Sequence, residues 1–119
     1  MLFPRFRSKE RDLRSDIERL STIQQVVVRA LSDAENEAQG LAARLDDARS
    51  RAAFLYGDVI EGAEEPDSKQ SALIQEAERF LVRGEKRRDE LGAHADFLRQ
   101  LDEQLAQGID SLRTQQRED

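Results

Sequence analysis

The stretch from Leu13 to Val59 reads LRSDIERLSTIQQVVVRALSDAENEAQGLAARLDDARSRAAFLYGDV, and its apolar residues keep one phase throughout. Stepping alternately four and three residues visits Leu13, Ile17, Leu20, Gln24, Val27, Leu31, Ala34, Ala38, Leu41, Leu45, Ala48, Ala52, Leu55 and Val59, of which only Gln24 is polar. A repeat averaging about 3.5 residues keeps one seam of an α-helix turned to a partner helix when the two supercoil left-handedly. The stretch is therefore one side of a coiled coil.

Working outward, the heptad fades at Gly62, and residues 61–67 hold the glycine, proline and acidic residues of a connection. Asp67 with Gln70 three residues later has capping-box spacing, which predicts that a second helix begins there. The same steps from Leu73 visit Leu73, Ala77, Phe80, Gly84, Arg87, Leu91, His94, Leu98, Leu101, Leu105, Gly108 and Leu112, a less regular seam. The fold class is all-α. The expected architecture is a basic, aromatic segment at 1–7, helix 1 over about 8–60, an acidic turn over 61–67 and helix 2 over about 68–116. Helix 1 is placed from Ser8 because nothing between Ser8 and Ser15 opposes helix, although Ser15 with Glu18 has a cap spacing of its own.

Two long helices joined by a short connection lie back alongside each other as an antiparallel hairpin. The preferred register sets Ala52 against Phe80, Ala38 against His94, Ala34 against Leu98, Gln24 against Gly108 and Leu31 against Leu101, so that large groups mostly meet small ones. An alternative pairs Leu45 with Phe80 and Ala38 with Arg87, which fills space less evenly. Gln24 and His94 are the candidate register-setting residues: a polar group at one seam position fixes alignment at some cost in stability, and His94 reads as a half-buried spacer. Arg87 is expected to pack its methylenes and carry its guanidinium past the seam edge. Gly84 and Gly108 each cost about 1 kcal/mol relative to alanine in a helix, which points to a packing reason.

Composition agrees with long helices sharing a narrow core: 37% of the residues are charged and 5% aromatic. The two prolines, Pro4 and Pro66, flank the first helix. A net charge of −6 argues against general nucleic-acid binding, which rests on Lys and Arg displacing counterions. No cysteine is present, and no apolar run approaches the roughly 20 residues needed to span a bilayer. The expectation is a soluble, cytoplasmic protein.

A two-helix seam needs only its a and d positions, yet Ile74, Leu81, Ala95 and Ile109 add apolar groups at e and Phe97 at g, while helix 1 adds Ile23 and Ala30 at g and Val28 at e. Such a widened stripe belongs to three- and four-helix bundles, so the hairpin is expected to dimerise through Ile23, Val28, Phe97 and Ile109. The N-terminal Leu2, Phe3, Arg5, Phe6 and Arg7 interleave aromatics with arginines outside the heptad. They form a candidate docking element for a protein partner or an anionic membrane surface, the alternative being that Leu2, Phe3 and Phe6 fold back to plug the open end of the bundle.

Catalytic chemistry is not indicated. His94, the only histidine, has Glu90 one turn before it, too few ligands for a zinc site, and paired Glu-x-x-His motifs are absent. Asp46-Asp47 and Glu64-Glu65 are adjacent carboxylates that do not aim at one substrate, and Gly84-Glu-Lys86 lacks the rest of a phosphate loop. No catalytic, cofactor-binding or metal-binding residue is assigned. The expected function is a non-enzymatic coiled-coil adaptor or scaffold with protein partners. The alternatives are a membrane- or granule-surface binder and an export-type chaperone, the last because a hairpin stalk resembles in outline the two-helix proteins of flagellar and type III secretion export.

Overall fold

The computed structural model describes the backbone of residues 2–62 and 67–118, and the side chains of 8–62 and 67–118. It contains two helices, α1 (Leu2–Glu61) and α2 (Ser68–Glu118), and no strand among the described residues. α1 starts earlier than the expected Ser8. Pro4 is compatible with this because it falls in the first turn, where a missing N–H forfeits no intrahelical bond.

The connection follows the sequence signals. The N–H of Gly62 donates to the carbonyl of Asp58 at 3.0 Å, ending α1. At the start of α2 the capping box forms in both directions. The N–H of Gln70 donates to Asp67 Oδ1 at 2.7 Å, and the N–H of Asp67 donates to Gln70 Oε1 at 3.2 Å. Two orphan donors of the first turn are thereby satisfied. Asp67→Ala is expected to lower stability by about 1 kcal/mol in urea denaturation, and an unchanged midpoint would show the cap to be dispensable.

The chain forms a helical hairpin that divides into two compact units. Unit 1 joins Met1–Asp33 to Ala95–Asp119, and unit 2 is Ala34–His94. In unit 2, Glu37 meets Arg87, Arg49 meets Glu85 and Tyr56 meets Glu78. In unit 1, Leu20 lies against Gly108 and Gln24 bonds Asp102. Rising numbers in α1 meet falling numbers in α2, so within each unit the segments run antiparallel.

The core of unit 2 is Leu41, Leu45 and Leu91, with Ala38, Phe80 and Leu81 packed against it. Leu45 is fully enclosed because its isobutyl group seats on the bare backbone of Gly84; a methyl added there would run into Leu45 Cδ2 and lie 3.3 Å from its Cγ. At Gly108 an added methyl would lie 3.4 Å from Leu20 Cδ1, an ordinary contact. These contacts correct the preferred register. Gly108 receives Leu20 where Gln24 was expected, and Phe80 joins the Leu45 layer, so the observed alignment lies between the two weighed. The offset is about half a heptad, roughly 5 Å along the axis.

Candidate functional site

Every seam position stepped off along α1 from Leu13 to Val59 is buried or half-buried, as the heptad requires. In α2 the buried stripe has a different phase. Leu91, Ala95, Leu98 and Ile109 are buried, whereas Leu73, Arg87 and His94 are exposed. α2 is therefore rolled from its a and d seam toward a and e, by up to roughly 50° at 100° per residue, with Phe80, Leu101 and Gly108 at d still half-buried. The d positions run Leu73, Phe80, Arg87, His94, Leu101 and Gly108, and the e positions Ile74, Leu81, Arg88, Ala95, Asp102 and Ile109, so neither stripe is uniformly apolar.

Several candidate residues change status as a result. His94 is exposed and fills no layer, so the reading of it as a half-buried, register-setting spacer is corrected. Ile109, only 4% exposed, is spent inside the hairpin of unit 1 and is removed from the expected dimer stripe. Ile23, Val28 and Phe97 remain in water. Gln24 is half-buried, and its Nε2 donates to Asp102 Oδ1 at 3.0 Å. Asp102, at an e position, escaped the sequence reading, which followed Leu101 next to it. Arg87 is exposed, and its Nε donates to Glu37 Oε2 at 2.9 Å. The side chains of Leu2, Phe3, Arg5, Phe6 and Arg7 lie outside the described residues.

Several of the remaining charged groups pair along the surface. Asp16 with Arg19, Asp46 with Arg49, Asp47 with Arg51 and Asp96 with Arg99 are pairs one helical turn apart, and Arg49 also reaches Glu85 at 3.0 Å. Exposed pairs of this kind contribute at most about 1 kcal/mol each. Among the described residues no cluster of three or more His, Asp or Glu converges as metal ligands, and no helix is long and apolar enough to cross a membrane.

Two apolar features stand out instead. In unit 2 an open groove of about 560 Å³ is floored by Ala48 and Leu55 of α1 and by Leu73, Ala77 and Phe80 of α2, with Arg44, Asp47, Arg51 and Glu76 along its rim. In unit 1, Ile23, Val26 and Ala30 follow the i, i+3, i+7 spacing of one helix face, and Val26 is 64% exposed. Phe97, 57% exposed, occupies on α2 the same heptad position, g, that Ile23 and Ala30 occupy on α1. Val26 lies at c, outside the seam and its flanks, and the signal that finds it is its spacing to Ile23 and Ala30.

Compared with protein-family models, curated proteins and solved structures, the chain matches none.

Proposed function

We propose that the chain is a non-enzymatic coiled-coil interaction protein, an adaptor or scaffold that works in the cytoplasm by laying helical faces against protein partners. The observation that carries this reading is the ordered exposure of large apolar side chains. Ile23, Val26 and Phe97 in unit 1, and the groove of unit 2, leave in water groups that a folded chain ordinarily scatters singly. Anchors at i, i+3 and i+7 on a helix are the form in which helix-on-helix and helix-in-groove contacts are made. Convergent titratable groups, which an enzyme needs, do not contribute to either feature.

Site-specific photo-crosslinking in the native cell tests the proposal. A crosslinker at Val26 or Phe97 is expected to give discrete protein adducts, and one at the exposed Asn36, on the polar f face, is expected to give few. Equal labelling from all three positions, or none from the apolar pair, would remove the adaptor reading.

A further inference from the structure

Residues 79–88, RFLVRGEKRR, hold five cations and one acid, and no other ten-residue stretch of this chain of net charge −6 is as basic. Packing within unit 2 uses little of that charge. Glu85 is taken by Arg49 and Arg87 by Glu37, while Arg79, Arg83, Lys86 and Arg88 make no hydrogen bond or ion pair among the described residues. Two acids of α1 in the same unit are engaged by their own helix, Asp46 by Arg49 and Asp47 by Arg51.

Helical spacing gathers three of these cations around one apolar side chain. At 100° per residue, Val82, Lys86, Arg79 and Arg83 fall within an arc of roughly 100°. Val82 and Lys86 each lie two residues from the buried Gly84, roughly 160° around the helix from it, so the arc faces away from α1. All four side chains are exposed, Val82 at 70%, and Arg79, Val82 and Arg83 line an open hollow of about 440 Å³ with Gln75 and Glu78. The like charges of Arg79 and Arg83, four residues apart, work against the helix that carries them, so the stability of α2 does not account for the arrangement.

We propose that this face docks a short acidic segment of another protein, its carboxylates held by Arg79, Arg83 and Lys86 around an apolar side chain that packs on Val82. Charge complementarity carries the inference, since guanidinium forks take carboxylates through parallel pairs of hydrogen bonds. The extent of the patch selects a protein segment over other anions. From Arg79 to Lys86 is roughly 10 Å along the axis, and carboxylates close both ends, Glu76 and Glu78 before Arg79 and Asp89 and Glu90 after Lys86. A bilayer surface or a nucleic-acid backbone extends its charge past those acids and is repelled there. Val82 alone offers too little apolar surface to insert into lipid. An acidic segment of about two helical turns fits between the two acidic ends. The inference draws on none of the apolar residues that carry the adaptor reading.

The test follows the backbone amides of the full chain by NMR at low salt during titration with an alanine-based helical peptide that carries glutamates at i, i+4 and i+7 around one leucine. Saturable shifts are expected at residues 79–86 and their immediate neighbours, fading as salt is raised. Replacing all three cations, by Arg79→Gln, Arg83→Gln and Lys86→Gln, is expected to weaken binding by about tenfold or more. The melting temperature should hold or rise, because a like-charge pair is removed. Val82→Gln keeps every cation and should still weaken binding by about threefold or more, because the leucine loses its apolar contact. An absence of saturable shifts, shifts spread equally to Arg14, Arg29 and Arg113, or equal binding of a peptide whose glutamates are dispersed around its helix overturns the proposal. Tighter binding of phosphatidylserine vesicles or of oligo-dT also overturns it and assigns the face to lipid or nucleic acid. Discrete adducts from Val26 in the cell together with a silent titration would remove the acidic partner and leave the adaptor reading standing.

Discussion

Leu45→Ala is expected to destabilise the hairpin by about 2–5 kcal/mol, the range for truncating an enclosed leucine when the surroundings relax only in part. Leu45 has no exposed surface and is gripped by Leu41, Leu91 and the backbone of Gly84. Leu91 is the other large side chain so enclosed among the described residues. Phe54→Ala, at a site 71% exposed, serves as the control, expected to cost no more than about 0.5 kcal/mol despite the larger deletion. Urea denaturation followed by circular dichroism measures both. A cost below about 1 kcal/mol for Leu45 would mean that this layer is not where unit 2 is held together.

The glycines give a second pronounced contrast, this time of sign. At Gly40 and Gly92 nothing lies within 4 Å of an added methyl, so alanine there should stabilise by about 1 kcal/mol through helix propensity alone. Gly84→Ala gains the same propensity, but its methyl falls on Leu45, and overpacking of an enclosed layer costs about 1–3 kcal/mol. The balance is a net loss of up to roughly 2 kcal/mol. Combining the substitutions checks the cause. In a Leu45→Ala background the obstruction is gone, and Gly84→Ala should become stabilising. If Gly84→Ala raises the urea midpoint of the unsubstituted chain as much as Gly40→Ala does, Leu45 does not seat there.

What could be read from residues alone differed between the two helices for a physical reason. In α1 the a and d positions are apolar almost without exception, so only one stripe can be buried and stepping along it finds the core. The cap of α2 was equally legible, because Asp67 and Gln70 act over a single turn and need no tertiary partner. α2 beyond that turn offers two stripes sharing the leucines at a, one completed by d and the other by e. Local pattern does not rank them. The ranking depends on what α1 presents, such as the half-buried Gln24 amide that Asp102 answers. His94 and Ile109 were misplaced together because one rotation moves both. The exposure of Ile23 and Phe97 in unit 1 was legible in the sequence, while the groove was not, since it exists only where the two helices leave their seam unfilled.

The bond between Gln24 and Asp102 also bears on a degeneracy in the chain. Leu91, Leu98, Leu105 and Leu112 repeat identically every seven residues, so this run of leucines maps largely onto itself under translation by one heptad. Greasy contacts alone would leave such slipped frames close in energy. A slip by seven would replace Asp102 with Ala95 or Ile109, neither of which has a side chain that accepts a hydrogen bond, and a half-buried amide left unpaired costs about 1–3 kcal/mol. In one direction it would also bring Leu91 to the place of Gly84, against Leu45. One polar pair and one missing side chain are thus expected to act as punctuation in a repetitive text, marking where the reading frame of one helix on the other begins.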